Sequence, residues 1–282
     1  MAGIAIVISA CDPAGQNIKS NLLELKEWHF LGSRETGDIW ERENYILIEI
    51  QEYHVYADGI DRKIEREGFS PELLIFASMH KARDPKPLIT AHFTGNIGEA
   101  MHGGGAREIA IPAPFALKAI LLLLKKMAFG SEFAVTMEGT HHGPTDLRIP
   151  SLYVEIGSSE AEWNDQRIGK IIASAITTFS PQRKPVGVSF GGSHYAPRQS
   201  QLLFETEVAF AHVIPEYALK DLDFVMLKKI FEKSKPDFAY LDQTMSKERR
   251  KWLVENIQKL GYRILSESDI RHLFQSFKEL KS

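Results

Sequence analysis

Seven of the ten histidines in this chain sit where a sequence places chemistry rather than packing. His80 follows an apolar run ending at Ser78. His92 lies in Thr90-Ala-His-Phe-Thr-Gly-Asn96. His102 precedes Gly103-Gly104-Gly105. His141 and His142 stand side by side before Gly143-Pro144, His194 lies in Gly191-Gly-Ser-His-Tyr-Ala-Pro197, and His212 falls near the end of an apolar run. An imidazole beside Gly, Pro, Ser or Thr at a strand end is free to bind a metal or to move a proton near neutral pH. His29, His54 and His272 sit in ordinary amphipathic contexts and read as structural or surface residues.

Two carboxylates strengthen the pattern. Glu155 interrupts the apolar run Ser151-Leu-Tyr-Val-Glu-Ile-Gly157, and Glu138 precedes Gly139-Thr140-His141-His142. A carboxylate in a core strand is costly unless it is paired or bound to a cation. Several histidines with a glutamate is the composition of a catalytic zinc site, which keeps one position open for water. No HExxH or paired CxxC spacing occurs, so composition alone does not assign a metal. The run Gly103-Gly104-Gly105 lets backbone N–H groups approach an anion closely. It is not a P-loop, because no GK[ST] follows. Ser193 beside His194 lacks the G-x-S-x-G elbow of a serine nucleophile.

The elements that must hold these groups alternate along the chain. Gly3–Ala10 reads as a buried strand, and Asp12 with Pro13 opens a helix through about Glu27. Runs 45–50, 72–78, 133–137, 151–156, 185–190, 205–213, 238–241 and 262–265 read as further strands. Helices are expected from Pro114 to about Ala128, from the Ser159/Glu162 capping box to Phe179, from about Asp221, over Lys247–Leu260, and after Ser266. The segment Lys81–Pro112, rich in Gly, Pro, Thr and His, reads as a long functional loop. Such alternation predicts a three-layer α/β/α architecture with a mixed, largely parallel central sheet, in a single domain spanning 1–282. Ligands then belong at the carboxyl ends of the strands.

Composition narrows the function. The apolar share is 44% and the charged share 25%, as in ordinary globular proteins. The single cysteine, Cys11, excludes an internal disulfide framework and fits a reducing compartment. The apolar start running into Cys11 superficially looks like a lipoprotein signal, but it is short and lacks a basic leader. No apolar run spans a bilayer, so a cytoplasmic protein without membrane contact is expected. A net charge of −3 gives no global nucleic-acid footprint, which leaves room only for local recognition of an RNA end.

Taken in order, Ser78-Met-His80, Leu88-Ile-Thr-Ala-His-Phe-Thr-Gly-Asn96, Thr140-His-His-Gly-Pro144, Val154-Glu-Ile-Gly157 and Gly191-Gly-Ser-His-Tyr-Ala-Pro197 resemble the archaeal and plant type of D-aminoacyl-tRNA deacylase. The resemblance runs from the first strand to about His212. It implies hydrolysis of the ester joining a D-amino acid to the terminal ribose of tRNA, and so a chiral proofreading role. It also implies zinc dependence and a phosphorylase- and hydrolase-like α/β fold. Metal ligands are then expected from His80, His92, His141, His142, Glu155 and His194, with His92, His142, His194 and Glu155 in the chemistry. Glu138 and His212 are second choices that orient a ligand. Gly103, Gly104 and Gly105 are expected to receive terminal phosphates. Tyr195, and less readily Phe93, is expected to stack on the terminal adenine of the acceptor end. A monomer is expected. Two other functions use the same residues: a metal-dependent amidase or peptidase on a small molecule, indifferent to the tRNA portion, or a non-catalytic RNA-binding module.

Overall fold

The computed structural model describes residues 3–275. β1 (Ile4–Ser9) ends just before Asp12, whose carboxylate accepts from the Gly15 N–H and, with Pro13 at the first helical position, starts α1 (Pro13–Leu25). A meander follows: β2 (His29–Ser33), β3 (Asp38–Arg42) and β4 (Tyr45–Ile50). A 3₁₀ turn (His54–Tyr56) and α2 (Ile60–Arg66) lead into β5 (Leu73–Lys81). Next come β6 (Leu88–His92), the short β7 (Gly95–Asn96) and β8 (Glu108–Ile109), α3 (Pro114–Met127), β9 (Ala134–Met137) and β10 (Ser151–Ser158). The expected helix 159–179 is two helices. The Ser159/Glu162 capping box supports only α4 (Glu160–Trp163), and Asp165 then caps α5 (Gln166–Thr178).

The last third is β11 (Val186–Phe190), α6 (Pro197–Glu205), β12 (Ala209–Ile214), α7 (Phe224–Ser234), β13 (Phe238–Leu241), α8 (Lys247–Lys259), β14 (Ile264–Leu265) and α9 (Glu267–Leu273). Residue 205 therefore ends a helix rather than opening a strand.

The architecture is the expected three-layer α/β/α one around a mixed, mostly parallel sheet. Its eight strands run β2-β3-β4-β1-β5-β10-β6-β9. β1 pairs parallel with β4 and β5, and β5 parallel with β10, whereas β6 runs antiparallel to β10. A second, wholly parallel sheet, β12-β11-β13-β14, was not separable from the first by sequence.

Period-2 alternation divides the inner strands between two layers. Ile75 and Ala77 of β5, with Leu152, Val154 and Ile156 of β10, join the core under α1, α3 and α5. Leu74, Phe76 and Tyr153 point the other way, against Ile60 and Ile64 of α2. The first core continues into Phe210, Val213, Phe238 and Tyr240, so the two sheets share it. Among the described residues no helix is long and apolar enough to cross a membrane.

Candidate active site and metal centre

Strand register builds the site. β5 and β10 pair Phe76 with Tyr153, Ser78 with Glu155 and His80 with Gly157, so these side chains share one face of the sheet. A Cβ on Gly157 would come within 2.9 Å of the His80 ring, so a glycine there clears room for the imidazole. β6 arrives antiparallel and sets His92 opposite Tyr153. Glu138 follows β9 directly. In the loop beyond it, consecutive side chains of extended backbone would point apart. His142 instead adopts φ +42°, a left-handed conformation that a non-glycine residue takes only at a cost. Both rings thereby meet His92, with centroids 4.3 Å (His141) and 4.8 Å (His142) away. The Gly95 N–H fixes this loop by donating to the His141 and His142 carbonyls. The second sheet delivers His194 on the loop after β11, and the Gly139 N–H holds it by donating to the His194 carbonyl at 2.6 Å.

Ring tautomers follow from backbone partners. The Nδ1 atoms of His92, His141 and His142 lie 3.2, 2.8 and 2.6 Å from the carbonyls of Phe93, Gly139 and Gly143. A carbonyl only accepts, so each Nδ1 carries the hydrogen; this leaves a lone pair on Nε2 of His141 and His142, while Nε2 of His92 faces Glu155. This is the arrangement of metal-ligating histidines. The three offer ligand atoms within 4.8 Å of one another, as do His80, Glu138 and His194, and also His92, Glu138 and Glu155. Glu138 Oε1 is 3.0 Å from His80 Nδ1, and Oε2 is 2.9 Å from His194 Nε2 and 3.6 Å from His141 Nε2. Glu155 accepts from the Ser78 hydroxyl at 2.7 Å and lies 3.5 Å from His80 Nδ1 and 3.6 Å from His92 Nε2.

These short distances are not directed hydrogen bonds for Glu138. Both of its carboxylate oxygens and His92 Nε2 are buried without a well-aligned partner. Buried lone pairs that converge without pairing are costly as they stand. They are the donors a divalent cation satisfies, and a mixed nitrogen–oxygen set of this kind suits zinc.

Charge follows the same geometry. Burial works against ionisation of Glu138 and Glu155, yet the contacts of Glu138 with His194 and His80, and of Glu155 with His80 and His92, hold both carboxyls below the usual range. Burial opposes a proton on His80, but Glu138 and Glu155 push it up to about 11. His92 also rises, burial being outweighed by Glu155. Burial and then His92 lower His141 well below its ordinary value and bring His142 to about 4. Their Nε2 lone pairs are therefore available at neutral pH.

Two cavities meet at this cluster and share His102, His141 and His142. One, of about 490 Å³, is walled by Tyr53, His54, Tyr56, His80, Lys81 and Glu155 among others. The other, of about 630 Å³, carries Asn96, Glu99, Met101, Tyr217, Lys220 and Asp221.

The structure thus brings together His80, His92, His141, His142, His194 and Glu155. Glu138, a second choice from sequence, lies at the centre. His212 stays outside the cluster: it is fully buried between the Thr140 hydroxyl and the Ala110 carbonyl. Tyr195 faces inward, its hydroxyl 3.0 Å from His80 Nε2. Phe93 is buried edge-on to His212, a packing role.

The glycine run has a structural account. A Cβ on Gly103 would overlap the Val55 carbonyl oxygen. Asn96 donates to the Gly103 and Gly105 carbonyls, and the Gly105 N–H donates to Thr145. His54, read from sequence as ordinary, walls the first cavity at 2% exposure, its Nδ1 3.8 Å from Asp12. No local sequence signal marks it, because only the fold carries the 54–56 turn to the site.

A family profile for D-aminoacyl-tRNA deacylase matches residues 67–265. A D-aminoacyl-tRNA deacylase of Methanosarcina mazei is 44% identical over 281 residues, 95% of this chain and 93% of its own length. One of Pyrococcus furiosus is 35% identical over 270 residues, 93% of this chain and 99% of its own. One of Methanococcoides burtonii is 44% identical over 279 residues; there the chain spans only 58% of the relative's length. A crystal structure described as a conserved protein of unknown function superposes with a TM-score of 0.92 at 31% identity, covering 98% of this chain and 99% of that one.

Proposed function

The chain belongs to the D-aminoacyl-tRNA deacylase family, and from that premise we propose that it hydrolyses the ester between a D-amino acid and the terminal ribose of tRNA, in the cytoplasm and as a monomer. The observation that carries the chemistry is the convergence of His92, His141 and His142 ligand atoms beside a buried carboxylate without a directed hydrogen bond. We assign these three histidines as the ligands of a zinc ion. Such an ion supplies activation of water and polarisation of the ester carbonyl when bound.

The remaining groups handle protons. Glu138 is placed to accept the proton of the attacking water, since the histidines beside it hold it ionised while neither oxygen is tied up in a directed hydrogen bond. His194 Nε2, 2.9 Å away and partly exposed, is placed to pass that proton to the departing ribose hydroxyl. Glu155 keeps the His80 and His92 rings in position, and Tyr195 braces His80 from its other nitrogen.

The test is hydrolysis of D- and L-tyrosyl-tRNA side by side, with metal content measured on the same samples. The D ester should be cleaved and the L ester spared. Chelation should abolish turnover and zinc restore it, and His142→Ala or His92→Ala should lose roughly 100-fold or more, at or above the roughly 10–100-fold seen when a group that merely orients a ligand is lost. A folded, zinc-supplied protein that cleaves neither ester would overturn the reading.

A further inference from the structure

We propose that the unpaired 3′ end of the tRNA enters across the turn bearing Tyr53 and Tyr56, with its phosphates held by Lys81 and Arg83. The inference rests on the substrate assigned above and names where it docks.

Tyr53 precedes the 3₁₀ turn His54–Tyr56, and the Tyr56 N–H donates to the Tyr53 carbonyl at 3.0 Å. With three residues per 3₁₀ turn, side chains three apart stand on the same side. Both rings are exposed, Tyr53 by 43% and Tyr56 by 58%. Both line the cavity that contains His80, His141, His142 and Glu155. Among the described residues neither has a ring contact or a hydrogen bond through its side chain. Between them, His54 turns inward and packs edge-on against Phe76 and Tyr153 at 6.0 Å each. The turn is therefore anchored in the sheet while its two aromatic faces stay open.

Gly103 fits beneath it: a Cβ there would approach the Tyr56 ring to 3.3 Å as well as strike Val55. Two exposed aromatic faces with no partner of their own, lining one cavity beside a hydrolytic site, match stacked bases, which bind such platforms without needing a paired helix.

Charge selects this cavity over its neighbour. Lys81 lines it at the end of β5, and Arg83 and Lys86 follow in the next loop, all exposed. Lys86 faces Asp84, whereas Lys81 and Arg83 have no ion-pair partner among the described residues. The neighbouring cavity presents the exposed carboxylates Glu99 and Asp221 against one lysine, Lys220. A chain of net charge −3 has no general attraction for a polyanion, so the phosphates must find a local cationic strip. Glu99 and Asp221 suit instead the ammonium of the aminoacyl half.

The experiment compares wild type with Tyr53→Ala/Tyr56→Ala, Lys81→Ala/Arg83→Ala and Lys220→Ala. Steady-state kinetics on D-tyrosyl-tRNA are combined with inhibition by an unacylated oligonucleotide ending in CCA. The tyrosine pair should raise KM about tenfold per lost stacking contact, with kcat within about twofold, and should abolish oligonucleotide inhibition. The Lys81/Arg83 pair should reduce the slope of log KM against log salt by about 1.4, two single-strand phosphate contacts' worth. Lys220→Ala should leave KM unchanged. If wild type cleaves D-tyrosyl-tRNA and both double variants keep its KM, salt slope and inhibition, the docking path is wrong. A KM effect confined to Lys220→Ala would overturn it in favour of the neighbouring cavity. Failure of the wild type to cleave would instead refute the assigned substrate.

Discussion

Acidification should weaken the fold through His212, by an amount set by its two partners. His212 Nε2 lies 3.0 Å from the Ala110 carbonyl, which only accepts, so that nitrogen carries the hydrogen. Nδ1 accepts from the Thr140 hydroxyl at 2.9 Å, while Thr140 Oγ1 accepts from the Val213 N–H. Every atom already has its role, and a second proton on Nδ1 would point at another donor. Burial accordingly lowers His212 to about 4. In the unfolded chain a histidine titrates near 6.5, so between about pH 6.5 and 4 the unfolded chain takes up a proton that the folded chain refuses. Stability is thus full above the unfolded value and is lost as pH falls through this window. The loss is about 3 kcal/mol, from roughly 2.5 pH units at about 1.36 kcal/mol each. That is a large part of the roughly 5–15 kcal/mol of a typical domain.

Thr140 precedes His141 and His142, so loosening should reach the site before global unfolding. Urea unfolding of wild type and His212→Gln at about pH 7 and about pH 4.5 measures the effect, the variant being expected to show an acid loss smaller by about 2–3 kcal/mol. His54, lowered to about 4 chiefly by burial, titrates in the same window but is common to both proteins and cancels. Equal acid losses in the two proteins would refute the role assigned to His212.

Two further outcomes follow from Lys118 and Gly103. Lys118 Nζ donates to the carbonyls of Leu203, Thr206 and Val208 around the end of α6, and burial lowers it to about 8. Between about pH 8 and 10.5 the unfolded chain binds the extra proton, so wild type should gain about 3 kcal/mol relative to Lys118→Met as pH rises. Parallel unfolding curves for the two proteins across that range would count against it. Gly103 adopts φ +69° with no room for a Cβ beneath the Val55 carbonyl. Gly103→Ala should therefore lower stability by about 2 kcal/mol or more in thermal unfolding, and a thermally silent substitution would show that the turn yields easily.

How much of this was legible in the sequence depended on whether a residue's role matched its local pattern. Asp12-Pro13 announced α1 because capping is a local interaction, and Val186–Phe190 announced β11 because it is buried throughout. β6 stayed hidden inside the expected long loop. It is paired on both sides, with β10 and β9, but Thr90 and His92 replace apolar residues where it faces the site, and alternation is lost where a strand trades packing for chemistry. β2 and β3 were missed for a different reason: β2 is the sheet's edge strand and β3 its neighbour, both half exposed, with little apolar periodicity to detect.

The histidine pool was legible because its members recur at strand ends beside small residues, a pattern visible without knowing the topology. Their grouping was not. Whether His92 meets His141 or His80 is fixed by the antiparallel insertion of β6 beside β10, and the sequence does not print that register. Glu138 shows the same limit. The neighbouring His141-His142 marked it as a candidate, but its place at the centre comes from both sheets closing on it, His80 from strand β5 of the first and His194 from the loop after β11 of the second. A carboxylate buried without directed hydrogen bonds is stable only if something else satisfies it. The two sheets therefore assemble a site whose own electrostatics call for a cation, and losing either sheet's contribution would leave Glu138 buried with part of its charge unanswered.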